Sequence, residues 1–194
     1  MGRKKTRFKY HLDPKGIKNL PIDEIKSILR GADDLIMRGG RTLLAKVLKG
    51  SREKKVIELG LDKSPVYGYY KTHSTDEILA RIDWVILNGY LDIEYDNRLP
   101  LLVYTPKGWE IEKDIYAEEL IRGLDEILAS GSGPFDMSYL KDKNRELIWL
   151  LLEKVEATGS DKYIPLLEEW EKIDYRKVRQ KIKKVIDALN KVVA

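Results

Sequence analysis

The stretch STDEILARIDWVILNGYLDIEYDNRLPLLVYT, residues 74 to 105, limits the possible folds more than any other part of the chain. It holds a helix start, a helix stop and a hairpin in that order. Ser74 with Glu77 three residues later fits a capping box, in which each residue satisfies a backbone N–H of the other. Ile78, Leu79, Ile82, Val85 and Ile86 repeat at helical spacing, and Gly89 supplies the stop. Leu91, Ile93 and Tyr95 then alternate with Asp92 and Glu94 as a half-buried strand does, Asp96-Asn97-Arg98 reads as a turn, and Leu101 to Tyr104 make the return strand. Three helices closed by such a two-stranded wing form a winged helix, so the predicted class is mainly α with a small β-hairpin.

Upstream, GGRTLLAKVLKGSREKK (residues 39 to 55) runs an apolar helical face into a glycine turn crowded with positive charge. Leu43, Leu44, Val47 and Leu48 share one face, with Arg41, Lys46, Lys49, Arg52, Lys54 and Lys55 beside or beyond it. Gly50 can take the left-handed conformation that ends a helix, and Ser51 is expected to cap the next one, leaving outward N–H groups near Arg52. That outlines a phosphate site. An ordinary helical surface with solvated lysines would look the same from these residues alone.

The order of these pieces carries a family resemblance. The run from Ile28 to about Glu112, some 85 of 194 residues, resembles the RQC domain, the winged-helix module at the carboxyl end of RecQ-type DNA helicases. The matching pieces are GGRTLLAKVLKGSREKKVIELGLDKSPVYGYY, the helix ending in NGYLDI, and the LLVYTPKGWE close. The amino-terminal part looks like the stand-alone version called RQC-minor. In that family the domain binds duplex or forked DNA through its backbone, using the region of the GS turn and the wing. The resemblance therefore implies DNA contacts at Arg41, Lys49, Ser51, Arg52, Lys54 and Lys55, with Arg98 on the wing. Helicases that pry strands apart carry an aromatic at the wing tip; here the turn reads Asp96-Asn97-Arg98, which argues against strand separation.

Charge distribution supports a polyanionic partner. Residues 1 to 55 hold 16 Lys and Arg against 6 Asp and Glu, whereas residues 56 to 115 hold 6 against 11. Positive potential thus gathers in the amino-terminal arm, RKKTRFKYH, and the second helix. The arm is expected to be mobile when free, or simply to act as a solubilising tail. At 43% hydrophobic content the chain can build a sizeable core, and no run approaches the roughly 18 apolar residues that span a bilayer. The chain contains no cysteine, which excludes disulfides and thiolate metal sites, including the four-cysteine zinc module that precedes this domain in full helicases. No apolar signal sequence is visible, so a cytoplasmic protein is expected; MGRKKT matches the spacing of a myristoylation site, a common coincidence.

From Tyr116 the chain changes character. Residues 116 to 128 read as helix, Ser130 to Pro134 as a break, Leu147 to Val155 as an apolar helical face, and Tyr163 to Lys172 as a short helix. Asp174 is expected to cap a last helix that buries Val178, Ile182, Val185, Ile186 and Leu189. This succession resembles a HEAT-type repeat, though one repeat shows no periodicity and a plain helical bundle explains it nearly as well. The expected domains are 1–115, arm and RQC-like winged helix, and 116–194, a helical domain. Arg176, Lys177, Arg179, Lys181, Lys183, Lys184 and Lys191 face Asp187 alone in the last helix, as an extended DNA surface or a solvated outer face.

Signs of catalysis are sparse. His11 and His73 form no motif, and there is no GxxxxGK[ST] phosphate loop, so ATP-driven unwinding by these residues is excluded. Asp33-Asp34 and Glu168-Glu169 are adjacent pairs whose side chains diverge by about 100° on a helix, an arrangement that suits solvent rather than a metal. Tyr67, Tyr69 and Tyr70 suit the core, with base stacking as the alternative. The expected protein is a non-enzymatic DNA-binding protein without cofactor or metal, serving DNA repair or replication, with a helicase or other protein as a partner in trans. An interaction adaptor whose basic charge is incidental is the other reading.

Overall fold

The computed structural model describes residues 11–131 and 133–193. The chain divides into two compact units, Met1–Glu112 and Lys113–Ala194. The first ten residues, which hold most of the expected basic arm, lie outside the described residues.

The first unit is a winged helix. Its elements are α1 (Ile22–Asp33), α2 (Arg41–Lys49), a short α3 (Lys54–Glu58), α4 (Thr75–Leu87), β1 (Leu91–Asp96) and β2 (Leu99–Tyr104). Both halves of the expected capping box are formed. The Glu77 N–H donates to Ser74 Oγ at 3.2 Å, and the Ser74 N–H donates to Glu77 Oε2 at 2.7 Å. These bonds from the Ser74 backbone and hydroxyl hold the Glu77 carboxyl below its ordinary range. Helix α4 ends at Asn88, where Gly89 turns left-handed.

The strands pair antiparallel, Leu91 opposite Tyr104 and Asp96 opposite Leu99. The wing turn is therefore Asn97-Arg98, one residue shorter than the sequence suggested. Asp96 extends the ladder because Asn97 takes the left-handed conformation that closes a tight turn (φ +56°), which asparagine tolerates better than most residues.

Ile28, Leu29, Leu44, Leu48, Ile78 and Ile82 from α1, α2 and α4 are fully buried, and Leu91 and Leu102 from the base of the hairpin close the same core. Each buried side chain of this size stabilises the fold by about 1.5–3 kcal/mol relative to exposure. The hairpin is tied through the backbone to the segment just before α2. The Met37 N–H donates to the Leu102 carbonyl at 3.0 Å, and the Leu102 N–H to the Gly39 carbonyl at 2.9 Å. Gly40 comes so near β2 that a Cβ there would lie 2.7 Å from the Pro100 carbonyl oxygen, which explains the second glycine of the GG before α2.

Helix α5 (Pro106–Ser130) begins well before the segment from Tyr116 that the sequence marked as helical. The second unit then adds α6 (Arg145–Ala157), α7 (Ile164–Ile173) and α8 (Arg176–Val193). Leu120 and Leu124 of α5 are buried in it, as are Leu151, Leu167, Trp170 and Ile182. Asp174 does not cap α8 as expected. Its carboxylate takes the Trp170 indole N–H at 2.6 Å and the Tyr175 N–H at 2.6 Å, and the Tyr175 carbonyl accepts the helical bond from Arg179. The buried indole needs an acceptor, and Asp174 stands one turn away. Among the described residues no helix is long and apolar enough to cross a membrane.

Candidate nucleic-acid interface

Helix α2 stops because Gly50 adopts φ +77°, with its N–H and that of Ser51 returning to the carbonyls of Val47 and Lys46. The turn beyond it is braced by the segment Tyr67 to His73. The Gly68 and Tyr70 N–H groups donate to the Val47 and Leu48 carbonyls at 3.0 and 2.8 Å. The Tyr67 hydroxyl donates to the Ser51 carbonyl at 3.0 Å. Backbones approach closely here, since a Cβ on Gly50 would stand 3.1 Å from the Gly68 Cα. Tyr70 itself is core: its hydroxyl donates to Glu24 at 2.7 Å, and burial together with that carboxylate pushes its ionisation up. Tyr69, by contrast, is 45% exposed. The YGYY cluster thus divides between bracing, surface and core.

Ser51 does not cap α3. That helix starts at Lys54 with Glu53 as its cap residue, and the Ser51 hydroxyl accepts only the Glu53 N–H, at 3.3 Å. The Tyr67 contact holds Ser51 in the turn, two residues short of the helix.

The candidate cations have different surroundings. Arg41 donates from one guanidinium nitrogen to both carboxylate oxygens of Asp83 in α4, and its side chain is only 17% exposed. Lys49 donates to the carbonyls of Lys71, at 2.9 Å, and His73, which ties the end of α2 to the bracing segment. Lys46 pairs with Glu53 at 2.6 Å, and Lys54 with Glu58 at 3.5 Å in a well-exposed contact that contributes little. With both acids of the turn engaged, Arg52 and Lys55 stand exposed, without an ion pair among the described residues. Arg98, at the wing tip, is likewise exposed and without one.

The turn and the base of the wing lie at opposite ends of the nine-residue α2, about 14 Å apart at 1.5 Å per residue. Four base pairs of duplex cover about the same distance at 3.4 Å each. Sequence reasoning missed Lys71, exposed beside Lys49, and Lys63, exposed just after α3. Their only signal was a lysine among tyrosines and another in a turn. Among the described residues, no three His, Cys, Asp or Glu side chains gather as a metal site would require.

The family model of the RQC domain matches residues 22–120. The ATP-dependent DNA helicase RecQ of Bacillus subtilis (strain 168) is 36% identical over 76 residues, which make up 39% of this chain and 13% of that protein. The chain therefore aligns with about an eighth of the helicase. No solved structure gives a significant match.

Proposed function

This chain belongs to the RQC domain family, and on that premise we propose that it is a DNA-binding protein without catalysis of its own, gripping the phosphate backbone of duplex or branched DNA. One observation carries the reading: Arg52 and Lys55 stand exposed and unpaired on a turn braced from behind by Tyr67, Gly68 and Tyr70. A braced turn holds its cations in place before DNA arrives, so less order is lost on binding. Arg52, Lys54, Lys55 and Lys71 make the first contact and Arg98 the second, while Lys49 and Ser51 position the turn and Arg41 ties the start of α2 to α4. Lysines and arginines around a turn bind phosphate and read little sequence. The non-aromatic Asn97-Arg98 tip anchors DNA without wedging it open. Service in DNA repair or replication, with a helicase supplied in trans, and HEAT-like stacking of the second unit extend the same proposal.

Exposed Ile57 and Leu59, at and just beyond the end of α3, favour a second reading, an adaptor that docks a protein partner there. A salt titration separates the two. Five phosphate contacts give a slope of log K against log salt of about −4.5, so raising salt from about 50 to 200 mM weakens binding several hundredfold. A flat response, or no duplex binding at about 50 mM salt, removes the DNA reading and leaves the adaptor.

A further inference from the structure

The second unit carries a cavity of about 240 Å³ where the turn before α6 meets the start of α8. Lys141, Lys143 and Arg145 line it, with Asp142, Asp174 and Tyr175. Among the described residues none of the three cations pairs with a carboxylate. Each lies against an aromatic ring instead. The Lys141 ammonium is 5.4 Å from the Tyr175 centroid, Lys143 is 4.7 Å from Tyr116, and the Arg145 guanidinium is 5.6 Å from Trp149. A ring face holds a cation in place without cancelling its charge, so these groups are ordered yet still able to receive an anion. Lys143 also reaches the Tyr116 hydroxyl, which further fixes it.

The two acids at the cavity are turned to other work. Both oxygens of Asp174 are engaged by the Trp170 indole and the Tyr175 N–H, and Asp142 accepts the Tyr175 hydroxyl at 3.4 Å. Arg176, Lys177 and Arg179, all exposed and without ion pairs, follow Tyr175 on the first turns of α8. The local balance is therefore positive, and it comes from two segments about 30 residues apart in sequence.

Charge and size together suit a phosphate. Pockets that enclose whole small molecules run from about 300 to 1,000 Å³. A cavity below that range suits one phosphate and part of its sugar, with the rest of the ligand outside. We propose that this cleft takes a phosphodiester of a nucleic-acid strand, giving the second unit a DNA contact of its own. The assignment rests on the proposed DNA-binding function and extends it to a unit that the RQC family model barely enters.

The test uses the whole chain and one labelled duplex, with fluorescence anisotropy across a salt series. Lys141→Gln with Arg145→Gln removes two cations while keeping side-chain length, and both residues are exposed, so the thermal melt should match the parent. Loss of that one phosphate contact makes the slope of log K against log salt shallower by about 0.9 and weakens binding at low salt. Should the double variant melt early, Lys141→Gln alone is expected to weaken binding at low salt, with a slope loss of up to about 0.9. An unchanged slope overturns the cleft assignment. If Arg52→Glu with Lys55→Glu still weakens binding in that case, the proposed function survives. A parent chain that binds no duplex at all overturns both. Inorganic phosphate, followed through intrinsic tryptophan fluorescence, is the control for a free ligand: saturation at micromolar phosphate would mean that the cleft serves a small anion and not a strand.

Discussion

Arg41, the first residue of α2, clamps Asp83 of α4, an acid left 3% exposed by the core around it. The Asp13 N–H shares the same carboxylate at 2.9 Å, so three segments of the winged helix meet there. A cation that sequence alone would offer to DNA is thus held inside the fold, where its charge balances a buried anion.

Replacing Asp83 with Asn should therefore act on stability. Breaking a buried pair leaves one charge without its partner and costs about 3–5 kcal/mol. Urea unfolding of the Asp83→Asn variant is expected to show a loss near the lower end, because Arg41 keeps some solvent contact. A loss below about 1 kcal/mol would mean that the pair does not hold α2 to α4.

Charge reversal at the turn should do the opposite. Arg52→Glu with Lys55→Glu touches two exposed side chains without ion pairs, so the melting temperature should hold while affinity falls for every DNA sequence alike. Loss of two contacts also flattens the salt slope by about 1.8. Binding as tight as the parent's would place the phosphate contacts elsewhere.

The wing should leave a duplex end paired. Opening an end costs about 1.4 kcal/mol per base-pair step, and a wedge offsets that by stacking an aromatic ring in place of the lost base. The tip residues Asn97 and Arg98 supply no ring. The tighter turn does bring Tyr95, 36% exposed, and Leu99, 65% exposed, close to the tip. A fluorescent base analogue at a blunt end is expected to stay dim when protein binds; brightening that vanishes in Tyr95→Ala or Leu99→Ala would establish a wedge.

Two glycines of α5 should respond oppositely to alanine. A Cβ on Gly108 would fall 1.9 Å from the Tyr90 carbonyl oxygen, an acceptor already used by Thr105, so Gly108→Ala must push α5 away from the hairpin and should cost about 3 kcal/mol. Nothing lies within 4 Å of a Cβ on Gly123, so alanine there should gain about 0.5–1 kcal/mol from helix propensity. Denaturant melts of both variants check the pair, and a neutral Gly108→Ala would show that the contact yields easily.

What the sequence determined by itself was local. The Ser74–Glu77 box, the glycine stops at Gly50 and Gly89, and the alternation in Leu91 to Tyr95 depend on groups within a few residues of one another, and each formed where the spacing put it. Of the near misses, one was settled by a distant group and the other by the turn itself. Ser51 lost its cap because Tyr67 holds its carbonyl, and the wing turn shortened because Asp96 found Leu99 across the ladder. The tertiary structure alone decided which cations face solvent. Arg41 and Arg52 look alike in sequence, but one meets a carboxylate 42 positions away while the other meets none. Lys49 and Lys55 part in the same way, the first on the carbonyls of Lys71 and His73, the second exposed without an ion pair. A charge is available to a ligand only if folding brings it no partner of its own, and that partner is chosen by packing across the core, beyond the reach of spacing along the chain.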